Sequence, residues 1–263
     1  MNQTISCIGT GAMGSSLVRA FCKRFDPALI TVTDKESQKA RALADETGCV
    51  FAETNEKAAK AKYVFIAVKP QFLSELMNEI SGSLPSSSVI ISMAAGVKIA
   101  RLKSLASADS RFIRIMPNVC AQAEQAMTAI CAESSVSEEE LAEVKEILSA
   151  AGKVDQISED LMDCVTAIGG SAPAFVFMFI EALADAAVRC GLPRAKAYEY
   201  AAQITKGSAE LLLKTKSHPA ALKDSVCSPA GTTMEGVAAL ERSGFRSAVI
   251  EAVSAAYRKA TGV

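Results

Sequence analysis

Three glycines between a predicted strand and a predicted helix constrain the fold of this chain more than any other feature. Thr4–Ile8 is a short apolar segment typical of a buried strand, and Gly9, Gly11 and Gly14 follow it directly before a helical pattern. The first glycine permits a tight turn, the second lets the backbone approach a pyrophosphate, and the third allows close packing of the helix. This context predicts the phosphate-binding turn of a dinucleotide-binding βαβ unit.

Further short apolar segments alternate with helical stretches over the first 160 residues. Strands separated by helices in this way are typical of a parallel sheet with helices on both faces. The predicted strands are Thr4–Ile8, Leu29–Thr33, Tyr63–Val68, Ser88–Ser92, Arg111–Met116 and Lys153–Ile157, and the clearest predicted helices are Glu36–Thr47, Phe72–Ile80 and Ser137–Ala151. We therefore expect an α/β fold, with a Rossmann-type doubly wound sheet domain over residues 1–160.

The pattern changes beyond Leu161, where no strand-like alternation remains. Long helical segments rich in alanine and leucine are predicted instead over Ala174–Cys190, Arg194–Lys214 and from Gly236 onward. Residues 161–263 are therefore predicted to form a second, all-α domain.

Charge and cysteine usage exclude several classes of function. The 28 basic and 29 acidic residues are spread along the chain, so no basic block is present to bind nucleic acid. The eight cysteines form no CxxC pair and only one histidine accompanies them, so we expect no metal site. Scattered cysteines and a polar N-terminal sequence without a secretory leader predict reduced thiols and a cytoplasmic protein.

An uncharged run near the middle of the chain, Val165–Ile180, raises the question of a membrane span. The run is shorter than a bilayer-spanning helix and contains Gly169, Gly170 and Pro173. We expect it to be a buried helix of a protein that does not contact a membrane.

A polar segment near the C-terminus, Ser228–Thr233, predicts a tight loop that opens into a helix. Such a junction leaves backbone N–H groups and hydroxyls directed outward, which suits a carboxylate or another small polar ligand. On composition alone, an ordinary helix cap is the better interpretation of these residues. His218, in a His–Pro turn ten residues earlier, is a candidate acid, but a capping role is favoured.

Ser228–Thr233 resembles the signature of the pyrroline-5-carboxylate reductases, and the resemblance extends over essentially the whole chain. Other matching segments are Val165–Phe175, Glu181–Asp185 and Gly191–Arg194. The chain departs from the family pattern at four positions, because the family more often has Ser, Tyr, Gly and Gly where Gly169, Phe175, Ala172 and Ala230 stand. The first two positions therefore lack the hydroxyl that the family residue carries there.

The resemblance implies the NAD(P)H-dependent reduction of 1-pyrroline-5-carboxylate to L-proline, the last step of proline biosynthesis. It implies that the Thr233 hydroxyl contacts the imine nitrogen as the catalytic group, while Ser228, Gly231 and Thr232 hold the substrate carboxylate. The cofactor-binding residues that it implies, together with the glycine-rich turn, are Gly9, Thr10, Gly11, Ala12, Met13, Gly14, Asp34, Lys35, Asn55, Ala67, Val68, Lys69, Pro70 and Ala94. Lys69 is equally well interpreted as an ordinary solvated lysine.

The choice between NADPH and NADH depends on the residues after the second predicted strand. Asp34, twenty positions after Gly14, can accept hydrogen bonds from a ribose 2′-hydroxyl, which favours NADH. Lys35, Ser37 and Lys39 can instead hold a 2′-phosphate. On the basis of the family resemblance we expect NADP as the cofactor, with NAD as an alternative.

The resemblance also implies a homodimer formed by intertwined helical domains, and it admits further assembly into a ring such as a decamer. It places Glu181 and Asp185, one helical turn apart, in the dimer core or at the edge of the active-site crevice rather than in acid–base catalysis. Three alternatives stay open: a reductase of a related cyclic imine such as a six-membered ring, a β-hydroxyacid reductase of the same architecture, and a non-catalytic dinucleotide sensor.

Overall fold

A computed structural model describes residues 4–107 and 109–262 of the chain. Its strands are β1 (Ile5–Ile8), β2 (Ile30–Thr33), β3 (Val50–Phe51), β4 (Tyr63–Ile66), β5 (Val89–Ser92), β6 (Arg111–Met116), β7 (Ala126–Ala132) and β8 (Gly152–Gln156). Its α-helices are α1 (Ala12–Arg24), α2 (Ser37–Thr47), α3 (Asn55–Ala58), α4 (Leu73–Ile80), α5 (Ile99–Lys103), α6 (Glu138–Ser149), α7 (Met162–Val165), α8 (Ala172–Arg189), α9 (Arg194–Thr215), α10 (Pro219–Ser225), α11 (Thr232–Arg242) and α12 (Phe245–Thr261).

The eight strands form a single sheet in the order β3-β2-β1-β4-β5-β6-β7-β8. Every pairing is parallel except that of β6 with β7, so the expected doubly wound sheet is confirmed with one antiparallel step. The exception arises because β6 and β7 are joined by a single short 3₁₀ turn, Val119–Ala123, and parallel strands need a longer crossover. Strands β3 and β7 were not among the predicted elements.

Two apolar clusters cover the two faces of the sheet. Neighbouring residues of one strand enter opposite clusters, as Phe65 and Ile66 of β4 do, because side chains alternate along a strand. All four residues of β1 and of β4 are buried, which is typical of a central parallel strand. The helix predicted from Ser137 is fixed at its start by a capping box, in which Ser137 and Glu140 each accept from the other's backbone N–H.

The chain divides into two units by its internal contacts. One unit runs to Gly170 and also takes in the C-terminal residues from Tyr257, and the other is Ser171–Ala256. Within the described residues, no strand follows β8, as the loss of alternation predicted. In the second unit, α8 and α9 pack through the small residues Ala184, Ala197 and Ala201.

Residues Glu159–Arg189 form one continuous helical run of 31 residues that includes α7 and α8, and its most apolar 18-residue window has a mean hydropathy of 1.6. Its length and composition would allow it to cross a membrane, but buried helices of soluble proteins have the same length and apolar character. The prediction that Val165–Ile180 is buried is wrong for the single chain. Phe177 and Met178 are 59% and 67% exposed, because α9 covers only one side of this helix.

Candidate active site

The glycine-rich turn lies between β1 and α1 and is shaped by two close backbone approaches. Gly9 has φ +100°, and a Cβ there would lie 2.7 Å from the Ala67 carbonyl oxygen. A Cβ at Gly14 would lie 2.1 Å from the Gly9 carbonyl oxygen. Gly11, in contrast, is exposed and a Cβ there would meet no atom within 4 Å. The turn therefore needs its first and third glycines for its own packing and leaves the second facing open space.

Thr10 links this turn to the end of β2. Its backbone N–H and its hydroxyl both donate to Asp34 Oδ2, at 2.6 and 3.0 Å. The other oxygen of Asp34 accepts from the Glu36 N–H at 2.9 Å. The Asp34 carboxylate is thus engaged on both oxygens by this chain, and it holds the turn and the residues before α2 in one arrangement.

The residues after the other central strands lie at the same edge of the sheet. The register aligns Ile8 with Ile66 and Ile66 with Ser92, so the parallel strands β1, β4 and β5 end together. Ala67 and Val68 follow β4 and are half-buried, whereas Ala94, which follows β5, is buried. A crevice at the carboxyl ends of parallel strands is where nucleotides bind in folds of this kind.

Basic residues cluster just beyond β2. Lys35 is exposed and its ammonium lies 5.9 Å from the centre of the Phe72 ring, while Lys39 is paired with Glu36 at 2.5 Å. Ser37 is the first residue of α2. This arrangement leaves two lysines and a hydroxyl beside an Asp34 that already accepts three hydrogen bonds.

The remaining residues predicted to bind cofactor differ in how freely they can reach a ligand. Ala12 and Met13 begin α1 behind the turn. Asn55 begins α3, and its amide donates to Glu79 at 2.8 Å. Lys69 and Pro70 are exposed at the start of a 3₁₀ turn.

Cys7 lies beneath the turn. Burial, with smaller contributions from the nearby Cys49 and Asp34, raises the pKa of its thiol to about 12. The group stays neutral at physiological pH and so does not serve as a nucleophile.

The Ser228–Thr233 segment forms a tight loop that ends at the first turn of α11. The Gly231 N–H donates to the Ser228 carbonyl at 3.0 Å, and a Cβ at Gly231 would lie 2.3 Å from the Ser228 hydroxyl oxygen. Gly231 is the N-cap residue and offers no side chain to the helix. Thr232 and Thr233 are exposed and are the first two residues of the helix, so this short segment carries both hydroxyls and the free N–H groups of a helix start.

Ala230 occupies the left-handed region in this loop, with φ +54°. A glycine adopts this conformation without steric cost, whereas alanine is strained there. This steric difference explains why the family usually has glycine at this position. The alanine keeps the same loop at a small cost in conformational free energy.

The favoured capping role of His218 is confirmed. Its Nδ1 accepts from the Ala220 N–H at 3.2 Å at the start of α10. Glu181 and Asp185 are both exposed in the single chain, and Asp185 is paired with Arg194. Phe175 is half-buried in α8, and Gly169 lies in the segment before that helix.

Two features of this region were not found from the sequence. The buried Arg114 of β6 forms ion pairs with the half-buried Glu159 and Asp163, and residues Thr166–Ser171 form a π-helical turn. The sequence signals that could have indicated these ion pairs are an arginine inside an apolar strand and two carboxylates four residues apart. Among the residues that the structure describes, no group of three metal-ligating side chains is present.

Two models of known protein families match separate parts of the chain. Residues 159–263 match the family model described as pyrroline-5-carboxylate reductase dimerisation, and residues 4–96 match the model described as NADP oxidoreductase coenzyme F420-dependent. The pyrroline-5-carboxylate reductase of Escherichia coli (strain K12) is 42% identical over 262 residues, covering 98% of this chain and 97% of the relative.

Solved structures agree with these matches. The 1-pyrroline-5-carboxylate reductase of Streptococcus pyogenes is 32% identical with a TM-score of 0.89, covering 99% of both chains. The Plasmodium falciparum pyrroline carboxylate reductase, solved with NADP bound, is 29% identical with a TM-score of 0.88 and covers 99% of this chain and 98% of its own. The chain therefore belongs to the pyrroline-5-carboxylate reductase family.

Proposed function

We propose that this chain reduces 1-pyrroline-5-carboxylate to L-proline with NADPH. The observation that carries the proposal is the loop Ser228–Thr233, where the uncapped start of α11 lies beside several hydroxyls. A substrate with a carboxylate next to a cyclic imine matches this set of groups, and the family to which the chain belongs is named for that substrate.

The start of α11 supplies the groups that bind the substrate carboxylate. The N–H groups of the first helical turn and the positive end of the helix dipole favour an anion, and the Ser228 hydroxyl lies next to Gly231, the N-cap residue of that helix. Ser228, Gly231 and Thr232 hold the carboxylate in this proposal. The five-membered ring then extends towards Thr233.

Thr233 is the proposed catalytic residue. A protonated imine is already electrophilic, so the reaction needs little acid catalysis beyond a group that keeps the ring nitrogen in place. The Thr233 hydroxyl hydrogen-bonds that nitrogen and stabilises the amine as it forms. Orientation of this kind is a large part of what an enzyme adds to such a reaction.

The glycine-rich turn and the carboxyl ends of the strands hold the cofactor. When bound, NADPH supplies the hydride that reduces the C=N bond. Gly11, whose surroundings are open, leaves room for the pyrophosphate, and Ala67, Val68 and Ala94 follow the neighbouring strands at the same edge of the sheet. Thr10, Ala12, Met13, Asn55, Lys69 and Pro70 complete the proposed cofactor-binding set with Gly9, Gly14, Asp34 and Lys35.

NADPH is the proposed preference because of how the Asp34 carboxylate is used. Both of its oxygens accept hydrogen bonds from Thr10 and Glu36, so it is less available to a ribose 2′-hydroxyl. Lys35, Ser37 and Lys39 stand next to it and favour a 2′-phosphate. NADH is a weaker alternative donor.

We further propose that the chain works in the cytoplasm as a homodimer formed by residues 161–263. The exposed apolar side chains of α8, among them Val176, Phe177 and Met178, support a partner surface there, and contiguous apolar patches mark such surfaces. A larger ring of dimers, such as a decamer, is compatible with this arrangement. All eight cysteines are free thiols, as expected in a reducing compartment.

The experiment that tests the function compares three substrates side by side. NADPH and NADH oxidation is followed with 1-pyrroline-5-carboxylate and with its six-membered analogue, and NADP+ and NAD+ reduction is followed with a β-hydroxyacid. The proposal predicts that the five-membered imine is the best substrate and that NADPH is the better donor. Faster turnover of another compound would reassign the substrate, and NADPH binding without any turnover would indicate a dinucleotide sensor.

A further inference from the structure

Arg114 is the most deeply buried arginine in the described chain for which ion pairs are seen, and the proposed reaction does not use it. Its side chain is 3% exposed, and its two terminal nitrogens contact two carboxylates. The Glu159 Oε1 lies 3.4 Å from one nitrogen and the Asp163 Oδ1 lies 3.2 Å from the other. Glu159 also accepts from the Ile99 N–H at 2.7 Å, so the network joins β6 to the start of α5.

The two carboxylates lie on the first turns of the long helix Glu159–Arg189. Residues four apart on a helix share a face, so Glu159 and Asp163 are both directed at the strand. Met162, on the same helix, belongs to the apolar cluster on that face of the sheet, with Phe112 of β6. The start of the helix is therefore fixed to β6 by one ionic contact and one apolar contact.

Further along, the same helix reaches the carboxyl end of β6. A Cβ at Gly170 would lie 3.5 Å from the Met116 Cε, and Met116 is the last residue of the strand. Gly170 belongs to the π-helical turn Thr166–Ser171, and the boundary between the two units follows it directly. Such turns interrupt the regular hydrogen bonding of a helix and are common at functional sites.

We infer that Arg114 is a positioning residue for the reaction. By holding Glu159 and Asp163, it sets where the helix lies along β6, and so it sets where the π-helical turn stands at the edge of the sheet that holds the cofactor. In this role, which rests on the proposed function, Arg114 touches neither substrate nor cofactor. Loss of its ion pairs is expected to displace this turn.

The same strand provides a matched control. Arg111, at the opposite end of β6, pairs with Glu140 at 2.6 Å, and both side chains are largely buried. Arg111→Met and Arg114→Met each remove one arginine from β6 and leave partly or largely buried carboxylates without their ion-pair partner. Both variants are expected to lower the Tm. Only Arg114 contacts the helix that leads to the π-helical turn.

The test compares Arg114→Met, Arg114→Lys and Arg111→Met as full-length enzymes. We expect Arg114→Met to lower kcat for 1-pyrroline-5-carboxylate about tenfold to a hundredfold, because small displacements of reacting groups cost this much. Its Kd for NADPH should stay within about twofold, because the glycine-rich turn is on another strand. Arg114→Lys, which can reach one carboxylate, should recover part of kcat, and Arg111→Met should keep the parent kcat.

Hydrogen exchange gives a readout that is independent of turnover. Amides of Thr166–Ser171 should exchange faster in Arg114→Met than in the parent or in Arg111→Met. If Arg114→Met does not fold, Asp163→Asn replaces it, with the same expected changes to a smaller degree.

Equal kcat values for the Arg114 and Arg111 variants, or unchanged exchange at Thr166–Ser171, would overturn the inference and leave a purely structural ion pair. That outcome leaves the proposed function intact as long as the parent enzyme reduces the imine. A parent enzyme with no activity on 1-pyrroline-5-carboxylate would overturn the proposed function and this role of Arg114 together.

Discussion

Thr10 and Asp34 are joined by two hydrogen bonds to a single oxygen, at 2.6 Å from the Thr10 backbone N–H and at 3.0 Å from its hydroxyl. The pair fixes the glycine-rich turn to the end of β2. It also turns the carboxylate most suited to a ribose 2′-hydroxyl towards the protein itself. We therefore expect the rigidity of the turn to depend on this contact.

Thr10→Val is expected to weaken the binding of NADPH and NADH alike. Valine keeps the branched shape and the backbone N–H bond but removes the hydroxyl bond to a charged group, so Kd should rise about threefold to tenfold for both cofactors. Fluorescence titration measures the two Kd values, and Thr31→Val on β2 is the control. A rise for one cofactor only would indicate a direct contact instead of a loosened turn.

Gly11→Val is expected to abolish cofactor binding in a folded protein. A Cβ at Gly11 meets no atom within 4 Å and its φ of −65° suits any residue, so the side chain would fill only the space proposed for the pyrophosphate. Gly14→Val, where a Cβ would lie 2.1 Å from a carbonyl oxygen, should instead lower the Tm strongly. Parent-like NADPH affinity of a folded Gly11→Val would remove the turn from the cofactor site.

Lys35→Gln is expected to change the preference for the two cofactors. An exposed lysine next to the end of β2 contributes affinity for a 2′-phosphate, so the Kd for NADPH should rise about fivefold or more while that for NADH stays unchanged. Lys60→Gln, another exposed lysine, serves as the control. Equal effects on both cofactors would assign the 2′-phosphate to other residues.

Much of this architecture was accessible from the sequence because the relevant signals are local. The spacing of Gly9, Gly11 and Gly14 after an apolar strand predicts the turn and the βαβ unit, and both are present. The antiparallel pairing of β6 with β7 was not predicted. Ala126–Ala132 mixes small, apolar and polar residues and was not recognised as a strand, and the direction of strand pairing depends on distant parts of the chain. The Arg114 network was missed for the same reason, since its partners lie more than forty residues away.

The burial of α8 was predicted wrongly, although the apolar run on which the prediction rested is present in the sequence. An apolar run such as Val165–Ile180 shows that a surface is covered, but composition does not say whether the chain itself or a partner covers it. In the single chain, Phe177 and Met178 stay exposed. The sequence therefore indicated the apolar character of this helix and not the identity of its neighbour.

Glu133 is expected to make stability depend on pH. Burial alone would raise the pKa of its carboxyl, but hydrogen bonds from Lys103, Ser135 and the Phe112 N–H outweigh it and lower the pKa below the ordinary 4.5. A lowered folded-state pKa means that the stabilisation is present at neutral pH and is lost as the pH falls below that ordinary value. Glu133→Gln should cost about 1–3 kcal/mol at pH 7 and progressively less in acid.

Urea unfolding of the parent and of Glu133→Gln at several pH values measures this dependence. Glu53→Gln, which removes an exposed ion pair, is the control and should change the free energy of unfolding little at any pH. A difference between Glu133→Gln and the parent that is constant down to acid pH would show that the carboxylate is not the source of the dependence.

The most direct measurement is the rate of L-proline formation from 1-pyrroline-5-carboxylate and NADPH by the parent and by Thr233→Ala. Loss of one hydrogen bond to a charged group should lower kcat/KM by about tenfold to a hundredfold, corresponding to roughly 1.5–3 kcal/mol, while the Kd for NADPH stays nearly constant. Thr233→Ser, which keeps the hydroxyl, should retain much of the parent activity. A parent enzyme that forms no proline, or a Thr233→Ala enzyme that matches the parent, would contradict the assignment of this loop as the substrate site.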